Sequence, residues 1–307
     1  MKHSMRRLLG LTLCAGTASG VACSQKDGGK TAGDSSQAAS TPFSAFVDTY
    51  FDSLYSFTPT AATAAGFHQY DSRLDDLSAA TMTRRIATLQ SQLARLDSLR
   101  ATKLTADDSI DAAMLDGAIH SELQDESTLK SWQKNPMGYV ALAGGSVDLL
   151  MKRNFAPPAE RLQSVTARLR GIPPVLAAMR VNVSNPPREF TDLAMRIAGG
   201  SVGFFKNDVA TWARDAAGTD TMALRAFTAV NDSVAAAMQS AAKWLQSDLM
   251  LKSKGSYAIG AQEFANKLRY DEMTDIPLDR LLAIGEADLE KNYKDFVATA
   301  AKVAPGK

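Results

Sequence analysis

The chain has 307 residues, 45% hydrophobic and 22% charged, which is enough to bury the core of one large or two smaller domains and too apolar for disorder throughout. Its 34 basic and 33 acidic residues give a formal charge of +1, and Lys2, Arg6 and Arg7 crowd the start, so no field remains that would gather nucleic acid or anionic lipid. Both cysteines, Cys14 and Cys23, lie near the N-terminus, which excludes an internal disulfide or a thiolate metal site from the rest of the chain.

The basic start is followed by an apolar run over residues 8–15 and then by small residues leading to Val21-Ala22-Cys23. This is the secretory pattern: the run is short for a membrane span and polar chain follows it. A small residue directly before a cysteine resembles a bacterial lipobox, with Gly20 standing where leucine is usual. The expectation is a signal peptide over 1–22, lipid attachment at Cys23, and a tether over 23–42. The tether's Gly, Ser, Ala and Gln bury too little surface to offset chain entropy. Such a protein is exported and held on the periplasmic or cell-surface side of a membrane by its lipid.

From residue 43 to 307 the hydrophobic period is helical. Ile86, Leu89, Leu93, Leu96 and Leu99 make one apolar stripe between charged positions. Thr105 to Asp108 resembles a capping box opening the next helix, with Leu115, Ile119 and Leu123 stacked at four-residue steps. Pro157-Pro158 suits a first helical turn, Gly171-Ile-Pro-Pro174 interrupts and restarts the chain, and Asn185-Pro-Pro187 marks a turn before a helix around 191–198. An Ala-rich helix is expected from after Gly218 to about Leu251, with Leu224, Phe227, Val234, Met238 and Leu245 inward. Tyr257-Ala-Ile259 could pair briefly as a strand. After Pro277 a final helix places Leu278, Leu281, Leu282, Leu289, Tyr293 and Phe296 on one broad face. Alanine and leucine dominate and aromatics are 7%, a balance that favours helix. The fold class is all-α, a multi-helix array with little or no sheet.

Candidate chemistry is sparse. The three histidines are His3, His68 and His120, and no H-E-x-x-H occurs. His68 reads as a capping or loop hydrogen-bonder, and His120 as a helix-surface residue or a satisfied polar contact. Gly199-Gly-Ser201-Val-Gly203 matches a nucleophile elbow, but the segment before it is helical and no histidine follows position 120. Its small residues suit a close helix contact or a bend. Ser127 and Lys130 form S-x-x-K without companion motifs, and Asp107, Asp108 and Asp111 suit the positive end of a helix dipole.

An ordered set of segments carries a resemblance. These are Pro59 to His68, Asp71 with Leu74-Asp-Asp-Leu77, Asn135-Pro136 with Tyr139, Arg153 to Pro158 with Arg161-Leu162, Arg168 to Pro174, and residues 264–289. Together they resemble the bacterial family catalogued as domain of unknown function 885, itself similar to helical zinc peptidases, many of them exported lipoproteins. In that family the histidine- and glutamate-bearing metal motif lies in the C-terminal half, and this sequence reaches Lys307 before any such motif.

The resemblance therefore implies the N-terminal helical portion of an exported metallopeptidase-like hydrolase, inactive alone, with no catalytic or metal residue of its own. Zinc is expected only with the missing C-terminal half, and the partners would be that half, a peptide substrate and the membrane reached through the lipid. Tyr139 and Arg153 are the substrate-cleft candidates it implies, set against a structural role in fixing loop ends. The alternative is a complete, non-catalytic helical lipoprotein that binds a peptide or protein partner.

Overall fold

The computed structural model describes residues 41–304 and 306. The signal segment, Cys23 and the tether up to residue 40 lie outside the described residues. Among those described there is no strand. Fifteen α-helical segments follow one another: α1 (Pro42–Phe57), α2 (Pro59–Ala64), α3 (Ala79–Arg100), α4 (Ala106–Leu123), α5 (Ser131–Lys134), α6 (Pro136–Gly145), α7 (Asp148–Lys152) and α8 (Pro158–Arg170). The rest are α9 (Ile172–Asn182), α10 (Arg188–Phe204), α11 (Ala210–Ala217), α12 (Thr221–Trp244), α13 (Met250–Lys252), α14 (Ala261–Glu272) and α15 (Leu278–Val303).

Local chemistry accounts for the boundaries. Thr105 caps α4 by accepting from the Asp108 amide at 3.0 Å, and Thr41 caps α1 through the Ser44 amide at the same distance. Prolines open α1, α2, α6 and α8, where the lost amide would have had no partner. Wide π-helical turns interrupt longer helices at Phe205–Val209 and Leu245–Leu249, and a third at Gln124–Leu129 ends α4 at Lys130, whose backbone is left-handed. Tyr257 to Ile259 forms no strand. The nearest pairing is a single bridge between Pro187 and Gly255, so close that a Cβ on Gly255 would lie 2.2 Å from the Asn185 carbonyl oxygen. Backbone this tightly crossed admits only glycine and leaves no room for a ladder to extend.

Apolar burial separates into two cores. The larger is built from α6 to α12 around Leu150, Leu162, Leu169, Met179, Phe205, Phe227 and Met238. The smaller joins α1, α3 and α4 through Phe43, Phe46, Tyr50, Leu89, Leu96, Leu99, Leu115 and Ile119. Within the larger core, the run Gly199 to Gly203 makes its close helix contact at Ser201 alone, and a Cβ on Gly199 or Gly200 would meet nothing within 4 Å. A Cβ on Gly144 of α6 would sit 2.7 Å from Ser201 Oγ of α10, so the two helices approach at small residues. The final helix departs from the pattern: α15 has its amphipathic stripe, yet none of its residues is buried.

Candidate functional site

Helix α8 presents Arg161 and Arg168 two turns apart on its buried side, and each ties down one neighbouring loop. Arg168 is fully buried. Its Nε donates to Arg73 O (2.9 Å), Nη1 to Ser146 O (2.8 Å), and Nη2 to Thr63 Oγ1 (2.7 Å) and Tyr70 O (3.3 Å). Burial lowers its pKa from the ordinary value, while the nearby Asp71 and Asp75 carboxylates act the other way and favour the cation. Arg161 donates to the carbonyls of Leu150, Met151, Arg153 and Ala156 and to Asn154 Oδ1, with its guanidinium 5.7 Å from the Trp212 ring centroid. The planar five-donor fork suits this work, because it satisfies several converging carbonyls from one fixed geometry.

The two clamped loops meet at His68 and Phe155. Their rings stack with centroids 3.8 Å apart and planes 12° from parallel. His68 Nδ1 lies 3.0 Å from Asp71 Oδ2, and Asp71 Oδ1 accepts the Thr63 hydroxyl at 2.6 Å. A carboxylate can only accept, so Nδ1 is the donor in this contact. The side chain remains 38% exposed while Asp71 is buried. His68 is thus a loop hydrogen-bonder, as its sequence setting suggests, with its orientation set by a buried partner. Beside it, Arg153 donates from Nη1 to Ala64 O at 2.9 Å and is exposed.

Tyr139 stands elsewhere and in a different role. It is 1% exposed, donates its hydroxyl to Trp132 O (2.6 Å) and accepts from Asn182 Nδ2 (2.9 Å), which also reaches Leu77 O. No polar atom of Tyr139 is offered to a ligand, and its position in a distinctive segment reflects core architecture. Ser201 returns its hydroxyl to Ile197 O in its own helix, and Ser127 does the same to Leu123 O. His120 sits on α4, bonded through Nδ1 to Asp116 O and stacked on Tyr270. Among the described residues no group of three or more His, Cys, Asp or Glu could hold a metal, so these side chains do not fit a zinc site.

A second polar cluster lies where α1, α3 and α4 meet. Arg85 pairs with Glu122 and, at 2.7 Å, with Glu126 Oε1, out of line for a hydrogen bond; its guanidinium lies 5.7 Å from the Phe57 ring centroid. One cation thus faces two carboxylates, and Glu126 Oε2 is buried with no partner. Burial raises the Glu126 carboxyl to about 7, against the lowering pull of Arg85 and with the help of Glu122 and Asp125. Burial, then the adjacent Glu122, pushes the Tyr50 hydroxyl above its ordinary range. Sequence alone does not reveal these sites, because an arginine or glutamate at a helical period reads as a solvated face.

Helix α14 lies against α4 through polar contacts. Gln124 Nε2 donates to Glu263 O (2.7 Å) and Oε2 (2.8 Å), Ser121 bonds Asp271, and Tyr270 stacks on His120. Beyond α14 runs α15, with Leu282, Leu289, Tyr293 and Phe296 all more than 60% exposed.

Comparison with known proteins places this arrangement. No curated protein matches the chain. A solved structure from Shewanella oneidensis, a protein of unknown function described as a lipoprotein, is similar at 28% identity with a TM-score of 0.71, over 81% of this chain. The chain spans only 46% of that protein's own length. Residues 59–307 match the family described as bacterial protein of unknown function (DUF885). On a match covering most of its length, the chain belongs to the DUF885 family.

Proposed function

We propose that this chain is the N-terminal helical portion of an exported metallopeptidase-like hydrolase and is inactive without the portion that carries the metal ligands. The observation that supports this most is the 46% coverage: the shared fold takes in less than half of the longer protein. On this reading Cys23 carries the lipid that holds the body to a membrane, as befits the similarity to a protein described as a lipoprotein. The clamped loops around His68 and Arg153 then form one wall of a substrate cleft. Arg153 is positioned by Ala64 O and keeps further donors for a peptide carboxylate, which a guanidinium can meet with two parallel bonds. Zinc would be held by residues outside this chain.

The test is metal content and peptidase activity of the purified, tag-free chain, alone and with the remaining portion of the fold supplied. The expected result is no stoichiometric zinc and no turnover alone, with chelator-sensitive hydrolysis once the remainder is present. Stoichiometric zinc with hydrolysis by the chain alone would sink the reading and make His68 and His120 the first residues to mutate. The second reading, a complete non-catalytic lipoprotein binding a peptide or protein partner, draws on the exposed apolar face of α15. Binding without hydrolysis in either arrangement would favour it.

A further inference from the structure

An amphipathic helix in water is a marginal object: its apolar face is stabilising only against a partner. Helix α15 has 26 residues and a length of roughly 39 Å at the standard rise. At 100° per residue, Leu278, Leu281, Leu282, Leu289, Tyr293 and Phe296 fall within one continuous stripe. Its opposite side is polar, with Lys294 paired to Glu290. The helix is thus built to be covered from one side only. With Phe264 of α14, the first half of the stripe lines a groove of about 420 Å³. Gly285 lies in the middle of that groove, and a Cβ there would meet nothing within 4 Å. Glycine is a poor helix interior residue, so its place in the centre of an apolar stripe marks where another backbone can come close.

From this geometry we infer that the α14–α15 groove is the seam for a second helical body, and that its occupant is an amphipathic helix corresponding to the portion of the longer Shewanella oneidensis structure that this chain does not span. This rests on the reading of the chain as part of a larger fold and adds where, and through which residues, the parts join. Exposure agrees: Leu282, Leu289, Tyr293 and Phe296 are each more than 60% exposed along the stripe, so large apolar anchors are available over most of its length. Continuity agrees too, since α15 follows the polar-docked α14 and lies within the stretch that matches the family. Recognition would be of the helix-in-groove kind, with the large side chains as anchors at helical spacing.

The experiment mixes the chain with the part of the Shewanella lipoprotein that lies beyond its match to this chain. It measures stoichiometry by light scattering, affinity by titration, and backbone protection of residues 278–303 by hydrogen exchange. The expected result is a 1:1 complex in which α15 protection rises at least tenfold, and in which Leu289→Asp and Gly285→Leu each weaken affinity at least tenfold. Gly285→Leu is the sharper variant, because leucine favours the helix itself: an unused arm gains protection in the free chain, while a seam loses its partner. A complex unaffected by either substitution would overturn the seam while leaving the larger-fold reading standing. Self-association of the chain with α15 protected would overturn it in favour of a second copy. Failure of the two parts to associate would also overturn it, and the zinc and hydrolysis measurement above judges the larger-fold reading separately.

Discussion

Helices α12 and α15 are nearly equal in length, 24 and 26 residues, and both carry an apolar stripe at helical spacing. Their fates are opposite. In α12, Phe227, Val234 and Met238 are sealed inside the larger core, whereas Phe296 of α15 is 69% exposed and its neighbours along the stripe are similar. The difference is one of surroundings: α12 is packed by α8, α9, α10 and α11, whereas among the described residues no helix buries any residue of α15. A periodic apolar face therefore declares the need for a partner without saying where the partner is.

Substitutions can break or sharpen this contrast. Phe227→Ala removes a buried ring from the core and is expected to cost about 4 kcal/mol in chemical denaturation. Next in size is Arg168→Met, expected to cost about 3 kcal/mol, because Asp71 and Asp75 would keep their burial without their cation. A loss below about 1 kcal/mol would show that water enters to replace the guanidinium.

The pH dependence tests the wide turn that follows α4, a helix that belongs to the smaller core and also packs against α14. Glu126 binds its proton more tightly in the folded chain, at about 7 against an ordinary 4.5, so its contribution is complete below 4.5 and lost as pH rises through 7. Glu126→Gln should flatten stability across that window and gain on the order of 2 kcal/mol at pH 8, a figure reduced for the part of the group that water reaches. An unchanged slope would mean that Arg85 already neutralises the carboxylate. Smallest is Phe296→Ala, expected to change stability of the chain alone by no more than about 0.5 kcal/mol. A cost near that of Phe227→Ala would mean that α15 is covered in solution and would collapse the comparison.

Much of the array was legible from particular residues. The stripe from Leu89 to Leu99, the cap at Thr105, Pro158 at a helix start and Gly171 between two helices all act within one or two turns of chain, where sequence and structure are nearly the same thing. Three features were not. Arg161 and Arg168 look like surface residues, and only the converging carbonyls of two distant loops show why burial is tolerated. Asp71 acquires its meaning from Thr63 and His68 in a folded turn. Tyr139, singled out for its segment, proved a core strut, because a phenol can be recognised as buried only once Trp132 and Asn182 are beside it.

The wide turn at Phe205–Val209 has a consequence for how one helix serves two neighbours. One extra residue per turn widens the hydrogen-bond ring, and here Asn231 of α12 donates to Phe205 O at 2.9 Å. The same residue advances every later side chain by roughly 100° about the axis, the angle of one residue in a turn of 3.6. Upstream, α10 faces α6; downstream, α11 faces α8. A straight helix would have to choose one of these faces, and a broken one would lose its stiffness. The wide turn lets a single rod change its facing partway along, joined to α12 on both sides of the change.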